Sequence, residues 1–131
     1  MSYCLFDDVQ RFQQLFGIEP GEDTFHHYVE HIKEEMKELE DATTPEDLLD
    51  ALMDLICVTI GATVALQCDG QGAWNEVQRA NFDKLRGRIQ PLERIPGGKI
   101  KIQKPEGWAG PRLTKHLGPV IKDLSRFKEG Q

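Results

Sequence analysis

The sequence has no CxxC pair, no HExxH, no GxGxxG and no GxxxxGK[ST]. Those absences remove a paired-cysteine zinc site, a HExxH zinc peptidase, a Rossmann cofactor site and P-loop chemistry. No Ser/His/Asp arrangement stands in for them. The three cysteines, Cys4, Cys57 and Cys68, cannot all pair and read as reduced thiols of an intracellular protein. Basic residues are too few for a nucleic-acid binder: 16 Lys and Arg face 22 Asp and Glu, a net charge of −6. Met1 to Leu15 carries Asp7 and Asp8 and lacks the apolar run of a secretory signal. The apolar segment Leu55–Leu66 is shorter than the ~20 residues that span a bilayer. A cytoplasmic protein with no membrane partner is expected, or one of the host cytoplasm if a phage encodes it.

Apolar spacing predicts four helices. The first, from Phe6 to Phe16, carries Phe6, Val9, Phe12, Leu15 and Phe16 and stops at Gly17. In the second, Thr24 as N-cap to about Ala42, Tyr28, Val29, Ile32, Met36 and Leu39 form the stripe. Thr44 as N-cap and Pro45 as first residue open the third, which runs to about Gln67. Its half from Leu55 to Leu66 is apolar nearly all round, as a central, most buried helix would be. After a turn at Cys68–Gly72, Ala73 to about Arg86 makes the fourth, with Trp74, Val77 and Leu85 among its apolar positions. From Arg88 to Pro111 glycine and proline dominate, and only Lys99–Ile102 alternates like a strand. Leu113 to Phe127 suggests a closing helix, interrupted at Gly118-Pro119. The expected fold is one all-α domain over residues 1–131, with a four-helix-bundle-like core at about 5–87 and a C-terminal arm at about 88–131.

Two acidic clusters stand out, Glu34-Glu35-x-x-Glu38 and Asp50-x-x-x-Asp54, the second running straight into the apolar segment. Glu35 and Glu38 are three apart and Asp50 and Asp54 four apart, so each pair projects from one helix face. Carboxylates at the edge of a greasy helix are costly to bury without a compensating charge. A divalent cation is the simplest compensation, and an all-oxygen donor set suits Mg²⁺ or Mn²⁺. His26, His27 and His31 do not make a zinc site by this reading; they are placed on or near the helix surface.

These motifs, continued by Val77-x-Arg79-Ala80-Asn81-x-x-Lys84, Gly98-Lys99 and Lys104-Pro105-x-Gly107-Trp108, resemble the all-α nucleoside triphosphate pyrophosphohydrolases. That superfamily includes MazG-like proteins, dimeric dUTPases and phosphoribosyl-ATP pyrophosphatases. The resemblance covers roughly Phe6 to Pro111 and is nearest to the short single-domain MazG-like form of bacteria and their phages. It implies a helical bundle assembling as a homodimer or homotetramer. It also implies Mg²⁺-dependent hydrolysis of a (deoxy)nucleoside triphosphate to the monophosphate and pyrophosphate, with a purine such as dGTP permitted. Many members carry an ExxD element; here Ala51 stands where its Glu would be, and Asp50 is adjacent.

On that footing Glu35, Glu38 and Asp54 are the expected metal ligands, with Asp50 a fourth. Glu34 faces about 100° away from Glu35 and is a candidate for activating water. Asn81 and Lys84, three apart, and Lys99 in the arm are candidates for holding phosphate oxygens. Phe12, Phe16 and Trp108 are candidates for stacking on the base. A catalytically silent helical interaction module is the alternative, with the acidic string as a solvated face. An oxidase-type dinuclear carboxylate protein ranks last, because no His stands three residues after Glu35, Glu38, Asp50 or Asp54.

Overall fold

The computed structural model of the chain describes residues 4–86, 93–95 and 99–120. Four helices follow in order: α1 (Leu5–Leu15), α2 (Glu22–Asp41), α3 (Pro45–Ala65) and α4 (Gly70–Asp83). Two three-residue strands, β1 (Glu93–Ile95) and β2 (Lys99–Lys101), pair antiparallel with Arg94 opposite Ile100. The class is all-α with bundle-like packing, and this small hairpin gives the predicted Lys99 strand a partner. The chain divides into two compact units, Met1–Gln71 with His116–Gln131, and Gly72–Lys115.

In the first unit α1 and α2 both pack on α3. The start of α3 is the one its sequence dictates. Thr44 Oγ1 accepts the Asp47 amide at 3.1 Å, and Pro45 occupies the first turn, where a missing N–H costs nothing. The start of α2 differs from expectation. It begins at Glu22 behind Gly21, and the Thr24 hydroxyl donates to the Glu19 carbonyl at 2.6 Å, so it ties down the connector instead of capping the helix.

Small residues on α3 set the packing. Gly61, Ala62 and Ala65 are buried, and a Cβ at Gly61 would run into the Tyr28 ring of α2. The Gln13 side chain of α1, 2% exposed, donates to the Gly61 carbonyl at 3.1 Å, so this buried amide is not left unpaired. The Gly21 amide donates to the Ala65 carbonyl at 2.9 Å and pins the start of α2 to the end of α3. Thr59 and Thr63 turn their hydroxyls back onto the Leu55 and Thr59 carbonyls, which lets polar residues sit in an apolar helix.

Burial along α3 is less complete than its composition suggests. Ile60 to Ala62 and Ala65 are buried, but Leu48, Leu49, Leu52, Met53 and Ile56 are between 40% and 59% exposed. The 21-residue helix is long enough to span a bilayer and its most apolar stretch (mean hydropathy 1.9) apolar enough, which the Leu55–Leu66 run alone understated. Asp50 and Asp54 in its sequence, and α1 and α2 packed on it, are features of a bundle helix with one face uncovered. Just before α4, the Asp69 amide donates to the His116 carbonyl, and His116 Nδ1 lies 2.9 Å from Asp69 Oδ2. Of the predicted closing helix from Leu113 to Phe127, only a 3₁₀ turn at Thr114–His116 forms within the described part; residues 121–127 lie outside it.

In the second unit Trp108 folds the arm onto α4. Its indole N–H donates to the Ala80 carbonyl at 2.7 Å, beside the buried Ala80 side chain. Glu76 accepts from the Arg79 guanidinium and from the Arg112 amide, both at 3.0 Å. The Arg79 bond, more than the Arg112 amide, holds its carboxyl down at about 2. Trp74 and Leu85, expected among the packed apolar positions, are 54% and 57% exposed.

Candidate metal centre

The α2–α3 pairing brings Glu35, Glu38 and Asp54 together. One ligand oxygen from each lies within 4.8 Å of the others. Glu35 and Glu38 reach that point because one helical turn separates them on α2, and Asp54 meets them from the facing turn of α3. Glu35 and Asp54 are half-buried, while Glu38 is exposed. Among the described residues no other group of three or more such side chains converges this closely.

Three anionic groups this close repel one another, and the Glu35 and Asp54 carboxyls are both raised. Burial raises the Glu35 carboxyl above its ordinary 4.5; a hydrogen bond with Glu38 and the charges of Glu38 and Asp54 add to the rise, against a smaller pull from His31. Asp54 is raised above 3.8, first by burial, then by Asp50 and Glu38. Asp50, one turn earlier, therefore feeds the field at Asp54 while standing outside the converging set. Glu35 Oε2 is buried with no hydrogen-bond partner among the described residues. An unpaired carboxylate oxygen beside two further carboxylates is an arrangement that a hard dication completes.

The sign of the pH dependence follows. Carboxyls whose folded pKa is raised stabilise the fold below their unfolded value, and that contribution is lost as pH rises through the folded one. Without metal, Glu35→Gln is therefore expected to melt above the parent protein. The gap should widen as pH rises from about 4.5, the ordinary glutamate value, towards neutrality. Thermal melts in chelator across that range check it. Adding Mn²⁺ at neutral pH should narrow the gap, because the ion neutralises the charges that the substitution removes.

The other candidate residues stand as follows. Glu34 is exposed, with Oε2 3.8 Å from His31 Nδ1. Phe12 and Phe16 lie in contact, ring centroids 4.6 Å apart, and are 52% and 71% exposed. They do not fill the core. Asn81, Lys84, Lys99 and Trp108 belong to the second unit. The predicted fourth helix placed Asn81 and Lys84 on one face, but α4 ends at Asp83 and Lys84 sits in the closing turn, its amide donating to the Asn81 carbonyl. Lys84 and Lys104 ammonium groups lie 5.2 Å and 4.9 Å from the Trp108 ring centre. With its N–H held by Ala80 and two cations over its ring, Trp108 serves the arm's own packing. Sequence reasoning had not singled out Glu76 and Arg112; a lone Glu on a helix and a lone Arg in a loop carry no spacing signal.

Comparison with known protein families gives a match. The family model described as phosphoribosyl-ATP pyrophosphohydrolase matches residues 9–81, more than half of the chain and a span that includes Glu35, Glu38, Asp50 and Asp54. No curated protein matches the chain at a significant level.

Proposed function

The chain belongs to the phosphoribosyl-ATP pyrophosphohydrolase family, within the MazG-like all-α nucleoside triphosphate pyrophosphohydrolases, and from that premise we propose its reaction, metal and assembly. The family hydrolyses phosphoanhydride bonds and is typically metal-dependent. Our reading is that water cuts the α–β anhydride of a nucleoside triphosphate, releasing the monophosphate and pyrophosphate. The observation that carries it is the convergence of Glu35, Glu38 and Asp54 around the unpartnered Glu35 oxygen.

These three carboxylates would hold Mg²⁺, with Mn²⁺ as a substitute, and Asp50 supports them through its charge. When bound, the ion would offset phosphate charge and orient the triphosphate. Glu34, exposed on the turn that carries Glu35, is assigned to accept a proton from the attacking water. Asn81, Lys84 and Lys99 are assigned to phosphate oxygens. The exposed rings of Phe12 and Phe16 are assigned to the base; the Trp108 ring, which meets the Lys84 and Lys104 ammonium groups, is assigned to the arm's packing.

We further infer that residues 1–131 act as one domain in a cytoplasmic homo-oligomer, dimer or tetramer. Met36 of α2 and the uncovered leucines of α3 support this, since a second copy would remove them from water. No observation favours the interaction-module alternative. The test is incubation with Mg²⁺ and a panel of the common (d)NTPs, dGTP and phosphoribosyl-ATP among them, assaying pyrophosphate separately from orthophosphate. Pyrophosphate and a monophosphate in equal amounts support the reading. Orthophosphate release, or no turnover across the panel, would overturn it.

A further inference from the structure

We propose that His27 and His31 form a second, chemically distinct cation site on α2, a bidentate imidazole chelate for a first-row transition-metal dication of the Ni²⁺ and Cu²⁺ type. The Nε2 atoms of the two rings lie 3.0 Å apart, and the ring centroids are 4.4 Å apart. Two nitrogens each about 2.1 Å from one ion lie about 3.0 Å apart if they subtend a right angle, and about 3.4 Å apart at the tetrahedral angle. The observed separation fits adjacent corners of a tetragonal or octahedral ion, the geometries of Cu²⁺ and Ni²⁺. Without metal the two nitrogens must share one proton between them. An ion takes the place of that hydrogen, which moves to Nδ1 of the same ring, so both imidazoles ligate in their neutral form.

The surroundings suit a resident ion. His27 is exposed, so water can fill the remaining positions, and His31 is partly covered, which limits its motion. The Glu34 carboxylate stands 3.8 Å from His31 Nδ1, on the far side of the ring, where a negative charge strengthens imidazole as a donor. The order His27-Tyr28-Val29-Glu30-His31 is that of the HxxEH zinc peptidases, in which the Glu activates water. Here the Glu30 carboxylate is paired with Lys33 Nζ at 3.1 Å. No third side chain joins the two histidines in a converging set among the described residues. The site is therefore one for binding, not hydrolysis. Its imidazole nitrogen donors, softer than carboxylate oxygen, separate it from the all-oxygen centre a turn further along α2.

The probe is Ni²⁺ alone, titrated calorimetrically into tag-free protein in excess Mg²⁺, with His27→Ala, His31→Ala, His26→Ala and Asp54→Asn alongside. Loss of either chelating ring should weaken Ni²⁺ at least tenfold, about 1.4 kcal/mol. His26→Ala and Asp54→Asn should bind as the parent does. In parallel, the Cu²⁺ electron paramagnetic resonance spectrum should show coupling to two imidazole nitrogens. Unchanged affinity in His27→Ala, or lost affinity in Asp54→Asn, would overturn the proposal. So would a Cu²⁺ spectrum with a single coupled nitrogen.

Discussion

Asp54→Asn is expected to lower kcat by about a thousandfold or more at saturating Mg²⁺, roughly 4 kcal/mol of lost transition-state stabilisation. The metal-free variant should melt at the same temperature as the parent or higher. Both halves come from one geometry. Asp54 supplies the only carboxylate that α3 brings to within 4.8 Å of Glu35 and Glu38. An amide keeps the shape and removes the charge, so a hard cation loses a principal donor. Burial and the charges of Asp50 and Glu38 already raise the Asp54 carboxyl, so its ionised form costs the empty fold stability that the amide does not. A structural salt-bridge residue would behave in the opposite way, with stability falling first. Turnover and melting temperature measured on one preparation separate the two cases.

Leu48→Gln combined with Leu52→Gln is expected to turn the proposed homo-oligomer into monomers and to reduce activity at least tenfold at micromolar concentration. The two side chains lie one turn apart on α3, 46% and 40% exposed, beside Leu49, Met53 and Ile56. Only 28% of the most apolar stretch of that helix is buried within the chain. Full burial of a leucine stabilises by about 1.5–3 kcal/mol, so each half-covered leucine leaves roughly 1 kcal/mol unclaimed. These five side chains are the surface that the proposed second copy would cover. Leu5→Gln on α1, 62% exposed, removes the same kind of surface elsewhere and should leave assembly unchanged. Sedimentation equilibrium with activity against concentration reads both effects. A parent protein that stays monomeric at the highest concentration would contradict the proposed assembly.

The family and the helical class were legible because their signals are local. Thr44-Pro45 writes the start of α3 into two residues, and three- and four-residue spacings write which carboxylates share a face. What failed was decided by contacts that spacing does not encode. Cys68–Gly72 looks like a turn, yet α4 begins at Gly70, where a Cβ would strike the Phe6 ring of α1, so tertiary packing selected a glycine that local propensity reads as a breaker. Thr24 looks like a cap but its hydroxyl finds the Glu19 carbonyl first. Within the site, spacing alone treats Asp50 and Asp54 alike, and the family resemblance puts Asp54 first; the pairing of α2 with α3 brings Asp54 into the converging set and leaves Asp50 beside it. The buried oxygen of Glu35, unpartnered among the described residues, has no sequence signature at all.

Mn²⁺ affinity across a double-mutant cycle of Glu38→Gln and Asp54→Asn tests the central claim most directly. If side chains from two helices ligate one ion, the first substitution should cost most of the affinity and the second little more, giving a coupling of about 1 kcal/mol or above. Independent, additive losses, or affinity unchanged in either single variant, would contradict a shared cation and with it the proposed hydrolase centre.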